Sequence, residues 1–436
     1  MKRSRSFFFT LTLLTILRLI PINPINIPCL YLGHASAQEL SGLTLGGYAT
    51  MSATLHDRSD ITPVRDISQN FDDPFNTHFT AFMDSRLGLQ AHYRFNTDLD
   101  IVFQGVLRDQ AYITPKNSME LGYAAFRPTP WMEFRAGRIG YDAFLMSDTR
   151  NLGYAYTWVR PPVEFYGWIP IFNMDGADAT FRFDWANSNW RLRFQAGENS
   201  FPFIIADTEY DSETRGLHTV TLGRQSGPLL IKAGYSRFSL RNELSVFGPL
   251  QEGLDAIAQG TADPFPDISD EARSLSQDLR LKNVEMTYVT LGASYDNGEW
   301  IAQTELARTT TSAEVLSHGT MGYAALGYYI GDFIPYIMFS AIRSENNLRQ
   351  PASDWSIIGE SELQDIANLI INTTRMNQET ISLGIRWNFH IQAALKFQMD
   401  NIHMHPFGHG LFFSKTSTIY DESHLSLGTI SLEIVF

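Results

Sequence analysis

The chain has 436 residues, of which 44% are hydrophobic and 13% aromatic, and its formal net charge is −14 at pH 7. This length fits either two or three ordinary domains or one large β-barrel, and the acidic balance argues against a nucleic-acid partner, which an excess of Lys and Arg would have to bind. After residue 32 no apolar run approaches the ~20 residues that a membrane-spanning helix needs, so the sequence also disfavours a helical membrane protein.

The first 37 residues have the pattern of a secretory signal peptide. Basic residues at positions 2, 3 and 5 precede the apolar run Phe7–Leu17, and Ala35-Ser36-Ala37 follows a second apolar stretch. A basic segment, an apolar segment and an A-x-A site in this order predict cleavage after Ala37. Residues 1–37 are therefore assigned to the signal peptide and 38–436 to a single domain. Arg18 and several prolines interrupt the apolar segment, so an uncleaved N-terminal anchor is the alternative.

The only cysteine, Cys29, lies within this leader. The predicted mature chain therefore has no disulfide, which for a secreted chain of this size indicates a bacterial envelope protein. Pro28 stands where a lipoprotein signal would have a small residue, so we predict no lipid anchor. The leader holds four basic residues and no acid, and its removal takes the net charge from −14 to −18.

From Ser41 onward one pattern recurs, in which about ten residues alternate between apolar and polar or small side chains before a turn. In Phe79–Phe95 the apolar residues share one parity and the polar residues occupy the other, apart from Phe82 and Ser85. A period of two places the two sets on opposite faces of a strand. The same alternation is found in Leu99–Leu107, Ala177–Trp185, Trp190–Ala196, Ile381–Phe389 and Ile391–Met399.

The alternation predicts sixteen strands, which start near residues 42, 79, 98, 118, 131, 177, 189, 216, 228, 284, 299, 319, 333, 378, 390 and 423. Eight long and seven short connections alternate between them, so both termini should lie at the same end of an antiparallel barrel. The strands of soluble proteins average about five or six residues, whereas these are longer and carry aromatic side chains at their ends. Long strands with this alternation and these aromatic ends are typical of transmembrane β-barrels.

One long connection differs from the others. Residues Tyr141–Gly176 lie between two predicted strands, are rich in aromatic side chains and carry both signs of charge. Pro161, Pro162 and Pro170 break any regular ladder, and a connection of this length without periodicity is often functional. Five predicted strands precede it, so it is the third connection on the outer side. We expect it to fold inward and to determine what passes through the barrel.

The chain ends in a strand with Ile430, Leu432, Ile434 and the terminal Phe436 on one parity. A terminal aromatic residue after alternating hydrophobic residues resembles the recognition strand that outer-membrane barrels present to the barrel-assembly machinery. The alternative is an ordinary edge strand that ends in Phe by chance.

The leader, the sixteen strands, the long third outer connection and the terminal Phe resemble the trimeric porins of Gram-negative bacteria. The segment Ser147–Pro162 (SDTRNLGYAYTWVRPP) is similar to one in a porin-like group of marine and related proteobacteria. The resemblance implies an all-β fold, a transmembrane antiparallel β-barrel of about 16 strands with an inward-folded third outer loop. It also implies a homotrimer in the outer membrane, in contact with lipid and lipopolysaccharide and without a cofactor. Its function would be that of a water-filled channel for passive diffusion of small hydrophilic solutes and ions.

The predicted constriction has two sides. A selective pore must be narrowed and lined with charge, and trimeric porins have acids on the inner loop opposite basic residues on the wall. By this resemblance the loop side consists of Asp142, Asp148, Glu164 and Asp175. The wall side consists of residues on the inward parity of their strands, namely Arg86, Arg135, Arg182, Arg191, Arg193 and Arg386. The alternative for each arginine is a salt bridge within the wall, for example between Arg182 and Asp178 or Asp184.

Other features bear on selectivity. Acidic clusters at 207–213 and 263–271 predict a mild preference for cations. Loop aromatic residues such as Trp158 and Tyr166 either stack on sugar rings or pack against the wall. A substrate-selective channel for an oligosaccharide or an anion such as phosphate is therefore the alternative function. No G-x-S-x-G or comparable nucleophile–base motif is present, which argues against an enzyme.

His403 and His405 form an H-x-H pair of a kind that can hold a metal. We expect both to lie in the last outer connection, together with His409. Pro406 and the glycines indicate a loop, and no acid or cysteine in the neighbouring sequence completes a site. We therefore predict no metal site.

Overall fold

The computed structural model describes residues 42–70, 78–168, 170–205, 208–407, 411–414 and 421–436. The predicted signal peptide, Cys29 and His409 lie outside these residues. Sixteen long strands form the barrel: β1 (Leu43–His56), β2 (Arg86–Arg94), β3 (Leu99–Arg108), β4 (Met119–Thr129), β5 (Met132–Gly140), β6 (Asn173–Trp185), β7 (Ser188–Ile205), β8 (Thr208–Ser226), β9 (Leu229–Leu240), β10 (Glu285–Asp296), β11 (Trp300–Thr311), β12 (Gly319–Tyr328), β13 (Phe333–Ser344), β14 (Asn377–His390), β15 (Ala393–Met404) and β16 (Ser423–Val435).

The strands close into one antiparallel barrel. Each pairs with its neighbours in sequence order, and β1 pairs with β2 on one side and with β16 on the other. Beyond this seam, Gly47 and the terminal Phe436 exchange backbone hydrogen bonds, with N···O distances of 2.7 and 2.9 Å. Because the ladder closes on itself, each of these sixteen strands is paired on both sides within the described residues. The predicted all-β fold, a closed antiparallel barrel of 16 strands, is confirmed.

The two faces of the barrel differ in chemistry. Large apolar side chains of one parity are exposed on the outer face, among them Leu89, Phe103, Leu306 and Leu383. The side chains of the opposite parity form the inner face, where many polar and charged groups are buried. An apolar outer band over a polar interior is the pattern of a barrel that faces lipid.

The strand boundaries differ from the predicted ones in three places. The strand predicted from Phe79 is divided, because Thr80 and Ser85 hydrogen-bond to nearby backbone groups and residues 81–85 bend, so that β2 begins only at Arg86. The long connection predicted at 198–215 is instead part of β7 and β8, whose ladder continues to Ile205 and Thr208 and satisfies backbone groups that a free loop would leave to water. The third connection ends at Phe172, since β6 begins one residue later.

α-Helices occupy three of the long connections in the described residues, at the end of the barrel opposite Leu43 and Val435. They are α1 (Pro115–Ser118), α2 (Gly248–Gly260), α3 (Pro266–Asp278) and α4 (Ser361–Asn372). The buried residues of α4 include Gln364, Ala367, Asn368 and Ile371. That spacing lines one face of a helix, and α2, α3 and α4 pack against one another as a helical cap. None of the helices in the described residues is long and apolar enough to cross a membrane.

Glu271 of α3 is the polar centre of the helical cap. Its carboxylate accepts hydrogen bonds from Trp355 Nε1 at 2.9 Å, Gln364 Nε2 at 3.0 Å, and the backbone N–H groups of Ala352 and Ser353 at 2.8 and 2.9 Å. Burial by itself would raise the pKa of Glu271, but these hydrogen bonds hold it below its usual value. The carboxylate therefore ties α3 to the chain around residue 353 and to α4.

Candidate functional site

The third long connection, residues 141–172, lies against the inner face of the barrel and is called the 141–172 segment below. Hydrogen bonds and ring contacts join it to inner-face side chains of β2, β7 and β9–β16. Pro161 and Pro162 keep its middle part extended, and a single π-helical turn follows at Val163–Gly167. Most of its side chains are buried, so the segment is a packed part of the fold.

Aromatic side chains of the segment pack on the wall. The Phe165 ring meets Tyr323 of β12 edge-on, with 5.4 Å between ring centroids, and Phe144 at 5.5 Å. Trp158 meets Tyr336 of β13 at 6.2 Å. Such pairs add about 0.5–1.5 kcal/mol each to the burial of apolar area. Trp158 and Phe165 are fully buried, so these rings hold the segment in place and are not presented to a solute.

Arg160 anchors the middle of the segment through an ion triad. Its Nη2 and Nε lie 2.7 and 2.9 Å from Asp84 Oδ2, and its Nη1 lies 2.6 Å from Asp400 Oδ2. Nη2 also donates to Thr429 Oγ1 at 2.6 Å. All three charged side chains are buried, so removal of one member leaves an uncompensated charge in the interior.

Lys396 and Arg386 hold the segment by its backbone. Lys396 Nζ donates to the carbonyl oxygens of Gly153, Tyr156 and Trp158, each at 2.7 Å. Arg386 Nη1 donates to the Tyr156 carbonyl at 2.8 Å. Arg386, a predicted wall residue, is thus buried beneath the segment and does not line open space.

Arg86, another predicted wall residue, meets the segment through Tyr156. Its Nη2 donates to the Tyr156 hydroxyl oxygen at 2.8 Å. Burial raises the pKa of Tyr156, so the phenol stays neutral and bonds as a hydroxyl. Arg86 is almost fully buried and therefore serves to hold the segment.

Asp142 pairs with the wall at the start of the segment. Arg193 Nη1 lies 2.9 Å from its carboxylate, Lys232 Nζ donates to it as well, and Arg191 Nη2 lies 4.0 Å away. Burial by itself would raise the pKa of Asp142, but the Lys232 and Arg193 charges outweigh it and hold the pKa below its usual value. The structure thus brings together three predicted residues, with Asp142 and Arg193 buried and Arg191 partly exposed at 4.0 Å.

Glu164 is also buried against the wall, although no arginine meets it. Its carboxylate accepts from Ser340 Oγ at 2.5 Å, from Gln378 Nε2 at 2.6 Å and from the Thr380 hydroxyl. The cavity beside it measures about 10 Å³, which is barely one water-sized probe. Glu164 therefore presents no charge to open space.

Phe172, the last residue of the segment, lies between two guanidinium groups. Arg108 and Arg150 stand over its ring at 3.8 and 3.7 Å from the centroid. Burial lowers the pKa of Arg150 to about 10, although Asp66 opposes the shift, and Arg150 is thus still charged at neutral pH. Cation–π contacts on both faces of one ring fix the point where the segment enters β6.

The remaining predicted arginines lie on the wall of β4–β7. Arg135 pairs with Asp178, its cross-strand partner, and Arg182 lies 3.5 Å from Glu133. Arg182 pairs with Glu133 on the neighbouring strand β5. The alternative partners predicted for Arg182, Asp178 and Asp184, are not the ones found.

The basic and acidic groups of this wall are exposed to different degrees, and Asp184, on the inner-face parity of β6, is exposed. Arg182 and Arg191 are cross-strand partners, and their side chains are 42% and 38% exposed. Arg127 is 37% exposed, whereas Glu133 is 8% and Asp178 0% exposed. Like charges directly opposite one another destabilise a sheet, and Glu133, 3.5 Å from Arg182, and Asp142, 4.0 Å from Arg191, offset this repulsion. The accessible part of this wall thus carries the positive charges of Arg127, Arg182 and Arg191 beside the negative charge of Asp184.

Two of the predicted loop acids are placed apart from the buried clusters. Asp148 is exposed and interacts electrostatically with Arg135. The prediction that Asp175 belongs to the connection is wrong, because Asp175 lies in β6 on the outer-face parity, where it pairs with Arg138 at 2.7 Å. Because successive side chains of a strand point to opposite faces, the Asp175 side chain lies on the outer face of the barrel.

The sequence analysis did not single out several charged residues that hold the segment, namely Asp84, Lys232, Glu305, Lys396 and Asp400. Glu305, for example, accepts hydrogen bonds from the Tyr166 hydroxyl and from Leu145 N, the latter at 2.8 Å. The alternation of the sequence does place Lys396 on the inner face of its strand. It does not indicate which of the inner-face charges acquire a partner.

No protein-family model matches this sequence, and a comparison with curated protein sequences finds no match either. Among solved structures, the barrel is similar to OmpF of Salmonella typhi in complex with daunomycin, with a TM-score of 0.51 and 13% identity over 90% of this chain and 97% of that chain. The anion-selective porin of Comamonas acidovorans aligns with a TM-score of 0.49 and 11% identity, over 90% of this chain and 99% of that chain. The outer-membrane channel DcaP of Acinetobacter baumannii aligns with a TM-score of 0.49 and 8% identity, over 92% of this chain and 99% of that chain. At such identities the likeness to OmpF shows the fold alone, and that fold is the closed 16-stranded barrel of outer-membrane porins.

Proposed function

We propose that this protein is an outer-membrane porin of a Gram-negative bacterium, a water-filled channel through which small hydrophilic solutes and ions diffuse passively. The 141–172 segment narrows the channel and forms its constriction. The observation that carries the proposal is the attachment of this segment to the inner faces of strands around most of a closed barrel.

Physical size supports this function. Barrels of sixteen or more strands leave an aqueous channel unless something fills them. Here the segment packs on β9–β16, and the charged wall of β4–β7 stays partly exposed. A rigid segment on one side and a solvated charged wall on the other support passive permeation with a fixed size limit.

The experiment is conductance of the full chain after refolding in detergent and insertion into planar lipid bilayers. We expect stepwise, voltage-independent conductance increments in KCl. Protein whose far-UV circular dichroism shows a folded barrel, but which gives no increments above the lipid baseline, would contradict the proposal. The detergent buffer alone is the control.

A second candidate function, an anion-selective channel, is favoured by the exposed Arg182–Arg191 pair. Two guanidinium groups directly opposite one another attract a carboxylate or phosphate, in competition with Glu133, 3.5 Å from Arg182, and Asp142, 4.0 Å from Arg191. For the oligosaccharide alternative, Trp158 and Phe165 are buried, whereas Tyr154 and Trp168 of the same segment are partly exposed.

The reversal potential in a KCl gradient distinguishes the two signs of selectivity. We expect anion preference in the wild type and a shift towards cations in the double variant Arg182→Gln, Arg191→Gln. Arg237→Gln removes an exposed arginine of β9 that pairs with Glu285, and this matched control should leave the reversal potential unchanged. A wild type that prefers cations would favour the acidic outer clusters and reject this candidate.

The proposal includes a homotrimer in contact with lipid and lipopolysaccharide, and recognition of Phe436 by the barrel-assembly machinery. Light scattering of the detergent complex tests the trimer. Deletion of Phe436 removes the backbone pair with Gly47 and should slow assembly in cells.

A further inference from the structure

A cluster of histidines and carboxylates lies on the outer face of the barrel, at the end opposite Leu43 and Val435. Glu379 of β14, His403 of β15 and His424 of β16 form one row of cross-strand partners, with Glu379 opposite His403 and His403 opposite His424. Glu422 precedes β16, and His405 follows β15. The prediction that His403 lies in a loop without a nearby acid is wrong, because His403 is in a strand and two carboxylates approach it from neighbouring elements.

Three of these side chains converge on one point. His403 Nε2 lies 2.6 Å from Glu422 Oε1, and His424 Nε2 lies 3.7 Å from the same oxygen. The two imidazole rings are stacked, with 4.5 Å between centroids and 12° between planes. Ligands of a tetrahedral zinc ion, at bonds of about 2.0–2.2 Å, lie about 3.3 Å from one another. Small side-chain rotations would therefore bring the three atoms to ligand positions.

The other nitrogen of His403 has the partner that a ligating histidine needs. His403 Nδ1 lies 3.5 Å from Glu379 Oε1, and Arg343 holds that carboxylate at 2.6 Å. A histidine that binds a metal through one nitrogen commonly donates its second N–H to a carboxylate, which sets the tautomer and the ring orientation. Without a metal, His403 Nε2 donates to Glu422 Oε1; a proton held instead on Nδ1, facing Glu379, leaves the lone pair of Nε2 free for a metal ion.

A competing group of Glu379, His403 and His405 is less suited to a cation. Its three ligand atoms also lie within 4.8 Å of one another. However, Arg343 donates to Glu379 and lies 3.0 Å from His405 Nε2. A guanidinium group already occupies the position between these two side chains, and its charge repels a metal ion.

We propose that His403, Glu422 and His424 bind a divalent transition-metal ion, with Glu379 positioning His403. Two imidazole nitrogens and one carboxylate suit Zn²⁺, whereas Mg²⁺ and Ca²⁺ prefer oxygen ligands alone. Three protein ligands leave one tetrahedral position for water or an external group. The ion connects β15 with β16, the strand that closes the barrel against β1, and with Glu422 just before it.

The test is a Zn²⁺ titration of the refolded full-length protein without a histidine tag, followed by isothermal calorimetry. We expect one saturable site per chain. Loss of an outer carboxylate partner commonly weakens metal affinity about 10–100-fold, so Glu379→Gln should reduce affinity by about tenfold and His403→Ala and His424→Ala by at least that factor. His405→Ala, and His218→Ala on the outer face of β8, are the matched controls and should leave affinity unchanged.

Far-UV circular dichroism of every variant establishes that the barrel is folded, since all the substituted side chains are at least partly exposed. Absence of saturable Zn²⁺ binding by the folded wild type would overturn the proposal. It would also be overturned if His424→Ala bound Zn²⁺ as tightly as the wild type, or if His405→Ala lost binding as completely as His403→Ala.

Discussion

Replacement of Arg160 by Met should release the middle of the 141–172 segment from the wall. The substitution keeps much of the side-chain volume but leaves the buried carboxylates of Asp84 and Asp400 without their cation. Breaking a buried ion pair by removal of one partner costs about 3–5 kcal/mol. The barrel itself should persist, because its backbone ladder does not depend on Arg160.

The magnitude can be measured as local opening. At 1.36 kcal/mol for each factor of ten, a loss of about 3–5 kcal/mol raises the open population of the segment by roughly two to nearly four orders of magnitude. Amide hydrogen exchange of residues 157–165 should accelerate accordingly in detergent micelles, while exchange in β10–β13 stays unchanged. If the segment forms the constriction, single-channel conductance and current noise should rise as well.

The matched control replaces the whole triad with neutral groups. Arg160→Met combined with Asp84→Asn and Asp400→Asn removes the uncompensated charges, and neutral replacements of buried ion triads are often tolerated. This variant should recover most of the exchange protection. Unchanged exchange in Arg160→Met would refute the anchoring argument, and accelerated exchange with unchanged conductance would refute the constriction while leaving the anchoring intact.

Three further predictions concern other contacts of the fold. Gly153→Ala places a Cβ 2.1 Å from the buried carboxylate of Glu433. The resulting overpacking, which costs about 1–3 kcal/mol, should increase current noise in bilayers. Unchanged recordings would mean that the Glu433 side chain moves freely. Glu271→Ala removes hydrogen bonds to a charged group, each worth about 1.5–3 kcal/mol. It should accelerate proteolysis within the helical cap but not in the strands. If the variant and the wild type were cleaved in the cap at equal rates, the role of Glu271 would be contradicted. The pKa of Asp142 is lower in the folded protein than in the unfolded chain, where it is about 3.9. Its pairing with Lys232 therefore stabilises the fold fully above about pH 3.9. This stabilisation is lost as the pH falls through the lower, folded-state pKa. Exchange near residue 142 should therefore stay slow at pH 5 and rise only below about pH 4, and Asp142→Asn should abolish that dependence.

The barrel could be predicted from the sequence because a period of two is a local property. Each stretch such as Ile381–Phe389 shows its two faces without reference to any other strand, and most predicted starts agree with the observed ones to within a few residues. The division near Phe79 was missed because short-range hydrogen bonds from Thr80 and Ser85 interrupt the ladder. The helical cap was missed because its amphipathic helices lie in long connections that were interpreted by their length and acidic charge.

For the candidate site, the face that a strand residue occupies follows from its parity in the sequence, so Arg182 and Arg191 lie on the inner face as expected. Which charges are buried, and with which partners, depends on the tertiary structure because the partners are remote in sequence. Arg160 is 76 residues from Asp84 and 240 from Asp400. Barrel closure and the path of the 141–172 segment bring these groups together, just as strand register aligns His403 with Glu379 and His424. Parity follows from the backbone of a single strand, whereas a charge pair depends on the position of two elements relative to each other.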